Sequence, residues 1–234
     1  MFCIKCGTPL PDDANFCLKC GCDLRNLNQR TGTSYSSVKV GDYVKFGCYP
    51  QNNGDVKEPI EWLVLEVNSN EALLISRYCL DRKVYHGECI NITWEICDLR
   101  KWLNNDFLKE AFSEEERERI KLSEVVNDDN RAYSSGGNNT QDRVFCLSLA
   151  EAEQYFKNDS ERQCWPTVHT RNQGAGVYNG NGCCIGCWWW LRSPGYDQSF
   201  ASGVKTDGAL YPRGDCVDDG FNAVRPALRL IWNL

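Results

Sequence analysis

Four cysteines near the N-terminus constrain this chain more than any other feature. Cys3, Cys6, Cys17 and Cys20 form two C-x2-C pairs with ten residues between them. Each pair sits in the same setting, Cys3-Ile4-Lys5-Cys6-Gly7 and Cys17-Leu18-Lys19-Cys20-Gly21. Two residues between cysteines let both thiolates reach one cation, and two such knuckles complete the closed tetrahedral shell of a structural zinc ion. The glycine after each pair permits the tight turn that aims backbone N–H groups at sulfur, and Pro9 and Pro11 stiffen the connection. About twenty residues cannot bury enough apolar surface to fold alone, so metal ligation supplies the folding free energy. A closed four-cysteine shell leaves no position for water, so the expected cofactor is one structural Zn2+ without catalysis. Cys22 falls outside the pattern.

The zinc module is expected over residues 1–23. Residues 24–37 are polar, small and aperiodic, which reads as a flexible linker. A larger unit is expected over residues 38–234. Its opening alternates around Tyr43-Val44-Lys45-Phe46. Ile60 to Val67 and Ala72 to Ser76 read as a strand pair joined by the Asn68-Ser69-Asn70 turn. Trp94 to Leu103 has helical spacing, with Ile96, Leu99, Trp102 and Leu103 on one face. Ser113 with Glu116, and Ser148 with Glu151, are capping boxes that start two short helices. Asp159 to Gly186 shows little periodicity, and Val224 to Ile231 reads as a closing strand. Strands at both ends with helices between them predict an α+β domain.

The net charge of −6 opposes a face that neutralises many phosphates, so a nucleic-acid partner is not expected. No apolar run is long enough to span a membrane. The N-terminus lacks a basic stretch followed by an apolar one, so a cytoplasmic location is expected. Eleven cysteines remain beyond the zinc set, an odd number scattered among apolar neighbours. They read as small buried hydrophobes in a reducing interior.

The N-terminal residues resemble the short zinc-ribbon modules of many bacterial proteins, which commonly serve as recognition or assembly elements. That resemblance implies a protein partner. Further along, Trp189-Trp190-Leu191-Arg192-Ser193-Pro194-Gly195, Asp207-Gly208 and Val224-Arg225-Pro226-Ala227-Leu228 resemble a bacterial domain of unknown function, number 6273. Ile60 to Leu65 and Leu99 to Asn104 are similar to other segments of that family. One departure is Ala223, where glycine commonly precedes the Val-Arg-Pro-Ala-Leu run. The family in turn resembles the C-type-lectin-like fold of variable proteins encoded with diversity-generating retroelements, a scaffold shared with the formylglycine-generating enzymes.

This resemblance implies a non-catalytic binding protein that shows a macromolecular ligand a surface built from residues 196–222. The side chains it implicates are Tyr196, Asp197, Ser199, Phe200, Ser202, Tyr211, Arg213, Asp215, Asp218, Asp219 and Phe221. Each residue type is reachable by changing the two adenines of an AAC codon, whereas Gln198 and Lys205 are not. Tyr and Phe offer large contact area at low entropy cost, and Ser, Asp and Arg supply adaptable hydrogen bonds. The alternatives are an ordinary glycine-rich loop set on a structural domain that joins assemblies through the ribbon, or an enzyme on a scaffold like that of the formylglycine-generating enzymes.

Other features point away from catalysis. His86 and His169 are too few and too isolated for a triad. Gly174, Gly176, Gly180 and Gly182 lack the strand-then-helix setting of a phosphate loop. Cys183, Cys184 and Cys187 offer a second metal site too few ligands. Strand alternation puts Trp188 and Trp190 on one face and Trp189 on the other, with at least one face in the core. Arg192 and Arg225 flank the window and are expected either to brace its loops through carboxylates such as Asp207 or to stand as solvated strand-end charges.

Overall fold

The computed structural model describes residues 38–54, 56–175 and 186–232. The zinc module, the linker and the pair Cys183 and Cys184 lie outside the described residues. The larger of two units runs from Val38 to Leu234 and is α+β, with mostly strands and a few short helices.

Its first sheet contains β1 (Tyr43–Pro50), β2 (Lys57–Val67), β3 (Glu71–Ser76), β7 (Val144–Phe145) and β12 (Ala227–Ile231). These lie in the order β1-β2-β3-β12-β7. The last strand therefore returns to the middle of the sheet that the first strands open. The second sheet has the order β10-β9-β8-β11-β4, using β4 (Asp81–Arg82), β8 (Trp189–Pro194), β9 (Phe200–Val204), β10 (Leu210–Cys216) and β11 (Ala223–Val224). A two-stranded ribbon pairs β5 (Ser123–Val125) with β6 (Thr140–Asp142).

In β2, period-2 alternation sends Ile60, Trp62 and Val64 inward. Asn68 N–H donates to Glu71 O at 2.8 Å and closes the turn into β3. The predicted hairpin is present, with a bulge where Leu65 adds a residue between Val64 and Glu66. Burial on both faces explains why β3 and β8, each third of five strands, read as continuous apolar runs.

The helices are short: α1 (Asp98–Trp102), α2 (Leu108–Ala111), α3 (Glu114–Arg119), α4 (Leu149–Tyr155), α5 (Asp159–Arg162) and α6 (Val168–Asn172). Both predicted capping boxes form, Ser113 with Glu116 at α3 and Ser148 with Glu151 at α4. The helix predicted from Trp94 starts later, at Asp98, and passes through a wide π turn over Leu103–Phe107 before α2. Leu99 and Leu103 are buried as expected, but Ile96 is exposed and Trp94 takes the interior place. The late start sets the phase, because Ile96 belongs to the entry turn. In the stretch without periodicity, α5 and α6 are single turns fixed by caps, Asn158 to Glu161 N–H and Thr167 to Thr170 N–H.

Trp189 and Trp190 are both fully buried, so both faces of β8 are core, while Trp188 at the strand's entrance keeps some exposure. Of the eleven scattered cysteines, Cys79, Cys97, Cys146, Cys164 and Cys187 are buried and Cys48 is half-buried. Burial pushes the Cys97 thiol up to about 12, so it stays protonated as a small hydrophobe. Cys89 and Cys216 correct the expectation, because they form a disulfide across 127 residues. Cys22 lies outside the described residues.

Among the described residues, no helix is long and apolar enough to cross a membrane.

Candidate functional site

The window 196–222 leaves β8, crosses β9 and β10, and returns through a loop to β11. Most of its implicated side chains reach solvent. Tyr196 is 53% exposed and Phe221 65%. Arg213 and Asp218 are exposed, and Asp197, Ser199, Phe200, Tyr211, Asp215 and Asp219 are half-buried. Ser202 is a correction: it is fully buried, and its hydroxyl donates to Pro194 O at 2.7 Å, with Pro212 O at 3.1 Å. Its place in β9 turns it inward, where it tethers the flanking segments instead of meeting a ligand.

The exposed residues gather into clusters held by the backbone. Tyr196 N–H donates to Arg213 O at 2.7 Å, and the Arg213 guanidinium lies 5.3 Å from the Tyr196 ring centre. Tyr133, which the sequence did not single out, packs against Tyr196 with ring centres 5.8 Å apart. Its loop is fastened to the window: Asn130 Nδ2 donates to Pro194 O and Pro212 O at 2.9 and 2.8 Å, and Ser134 Oγ donates to Gly195 O at 2.8 Å. The exposed surface therefore extends beyond the window onto residues 130–135.

A second cluster lies on one face of the sheet. Tyr211 pairs with Gly203, which pairs with Trp190, so these three positions share a face, and Trp188 follows by period 2. Trp188 and Tyr211 meet edge-on at 5.6 Å, with Lys205 Nζ 4.8 Å from the Tyr211 ring centre. Gly203 matters because an added Cβ would sit 3.1 Å from Trp189 O. The sheet face therefore dips between the two aromatics. Nearby, Asn222 Nδ2 donates to Asp215 Oδ2 at 3.1 Å, while buried Asn222 Oδ1 has no hydrogen-bond partner. Burial pushes the Asp215 carboxyl above its ordinary range, and the Asp219 charge adds to this against the pull of Asn222 and Lys205.

Gly214 lies in β10 at φ +71°, and the ladder shifts register between Tyr211 and Asp215. That left-handed backbone favours glycine, and the irregularity re-aims the side chains around it.

The two arginines have other roles than predicted. Arg192 is buried and paired with Glu151 through both terminal nitrogens, while also donating to Cys146 O and Val126 O. Arg225 is buried and bonded to two carbonyls, Ser76 O and Arg162 O. Neither meets Asp207, whose carboxylate accepts from Ala209 N–H in its own turn. The buried carboxylates are likewise satisfied: Asp142 accepts from Trp94, Thr140 and Arg100, and Asp81 from Tyr49. These are bracing networks between elements.

Among the described residues, the grouping with metal-ligand proximity is Cys89, Cys216 and Asp218, where the two sulfurs are bonded to each other. Cys187 is buried against Cys164, its thiol 3.5 Å from Cys164 O.

The chain thus pairs a cysteine-rich N-terminal module with an α+β domain whose late strands show an aromatic and charged surface. A zinc-ribbon domain matches residues 2–24, which identifies a metal-binding module with a donor set suited to zinc. A domain of unknown function, DUF6273, matches residues 69–232, and the chain belongs to that family. No curated protein and no solved structure matches it.

Proposed function

We propose that this is a non-catalytic binding protein whose residues 196–222, joined by Tyr133, recognise a macromolecular partner on a C-type-lectin-like scaffold. The observation that carries the reading is an outward set in which Tyr211 and Arg213 stand on edge strand β10 and Tyr196 and Phe221 are exposed in the turns before β9 and after β10. Aromatic anchors beside adaptable polar groups are the chemistry of a paratope. Ordering costs these side chains little entropy, since Tyr211 and Arg213 lie on β10 paired with β9, Tyr196 N–H donates to Arg213 O and Phe221 N–H to Asp219 Oδ1. Diversification of the window remains part of this proposal, and a neighbouring reverse transcriptase gene with a repeat differing only at adenines would support it.

At the N-terminus, one zinc ion held by Cys3, Cys6, Cys17 and Cys20 would fold the ribbon, and the ribbon would attach a protein partner. Cys6→Ser is expected to reduce bound zinc in the purified protein from one equivalent to below about 0.1, measured by atomic absorption. Unchanged zinc content in that variant would overturn the ligand assignment.

The binding reading is tested with the full chain carrying Tyr196→Ala and Phe221→Ala. Both residues are exposed, so the melting temperature should stay within about 2 °C of the parent, while affinity for a captured partner falls at least about tenfold.

A further inference from the structure

A groove of about 630 Å³ opens elsewhere on the domain, between β2, the end of β3 and the α4–α5 segment. Its lining has three cations, Arg77, Lys157 and Arg225, against one carboxylate, Glu161. This reverses the sign of a chain with net charge −6. It is also aromatic: Trp165 is 43% exposed, Tyr43 is exposed, and Tyr78 and Tyr155 line it further in.

Arg225 gives the groove its chemistry. The residue is 3% exposed, and among the described residues no carboxylate pairs with it. Phe156 and Trp189 flank the guanidinium, with ring centres 5.2 and 5.1 Å away. Nε donates to Ser76 O at 3.0 Å and Nη1 to Arg162 O at 3.3 Å. Among the described residues Nη2 has no acceptor, and Arg225 lines the groove. A buried cation without a counter-ion is costly, and carbonyls and ring faces offset only part of that cost. An anion entering the groove would complete it, with geometry fixed in advance by the two carbonyls.

The rim is also committed. Arg77 sits over Tyr43 and Tyr78 at 4.9 and 5.2 Å and is paired with Glu61 at 2.6 Å. Tyr155 is tied by its hydroxyl to Glu66 at 2.5 Å. Glu161 accepts from Lys157 N–H at 2.9 Å, which occupies the groove's one carboxylate. Trp165 and Tyr43 keep open ring surface, suited to a flat group.

We propose that this groove is a small-molecule site, separate from the window surface, for a ring-bearing ligand with one carboxylate or phosphate. The anion meets Arg225 and the ring lies against Trp165 and Tyr43. Volume and lining fit the usual range for such sites.

Calorimetry on the full chain tests this with two anionic probes, indole-3-acetate and adenosine monophosphate, and their uncharged counterparts, 3-methylindole and adenosine. At least one anionic probe is expected to bind at least about tenfold more tightly than its counterpart, and which one does so separates carboxylate from phosphate. Trp165→Ala, at an exposed position, should weaken it at least about fivefold with an unchanged melting temperature. Arg225→Met should abolish the preference for the charged probe. If that variant does not fold, Lys157→Glu serves in its place and should weaken the anion but not the counterpart. No preference for either anion, or Trp165→Ala binding as the parent does, overturns the proposal.

Discussion

Glu151→Ala is expected to lower the unfolding free energy by about 3–5 kcal/mol, the usual cost of stranding one member of a buried ion pair. Arg192 lies on central strand β8 and is buried, and Glu151 is its carboxylate partner. The same carboxylate caps α4 by accepting Ser148 N–H at 2.9 Å. One truncation therefore leaves a buried guanidinium without its counter-ion and a helix end without its acceptor. Arg192 already has one unpartnered nitrogen, Nε, so it has little slack. The loss should appear as a fall in melting temperature on the order of 10 °C. Glu151→Gln, which keeps an acceptor for both groups, should recover part of it. A Glu151→Ala protein melting within about 2 °C of the parent would show that the pair does not brace the fold.

Opening the Cys89–Cys216 disulfide is the second large effect. The bond closes 127 residues of chain, for which the chain-entropy account gives about 5 kcal/mol and native disulfides commonly 2–5 kcal/mol. Cys216→Ser, or saturating reductant on the parent, should lower stability by about 3 kcal/mol. The loss should also be felt locally. His86 N–H donates to Val217 O at 2.8 Å and Ile92 N–H to Gln198 O at 2.9 Å, so the loop bearing Cys89 is laced to the window. Amides in 86–92 and 213–219 should lose hydrogen-exchange protection before the first sheet does. Two free thiols at these positions in the oxidised protein, or a melting temperature indifferent to reductant, would contradict this.

What could be read from the sequence was what short range determines. The β2–β3 hairpin follows from alternation in Ile60 to Val67 and a polar turn. The two capping boxes need only a Ser and a Glu three residues on. The zinc-ribbon match at residues 2–24 follows from cysteine spacing in the same way.

What escaped depended on partners far away in sequence. Arg192 looked like a strand-end charge, but its carboxylate is 41 residues earlier, on α4. Arg225 draws on carbonyls 149 and 63 residues away. Ser202 carries the composition of a surface loop, and only the β8–β9–β10 pairing reveals that its hydroxyl ties Pro194 to Pro212. Tyr133 lies outside the window, and only the Asn130 bonds bring it there. Cys89 and Cys216 sat among other cysteines without any spacing to join them. Single-turn helices such as α5 and α6 have no period to detect, since a cap and one turn do not make an apolar face.

The binding surface stands or falls on one comparison. Full-length protein and its Tyr196→Ala/Phe221→Ala variant would be immobilised side by side and titrated with a purified partner recovered by the parent. The proposed role predicts a dissociation constant at least about tenfold higher for the variant, with both proteins melting together. Equal affinity at equal stability would remove these side chains from recognition, and a variant that unfolds would show that they support the fold instead.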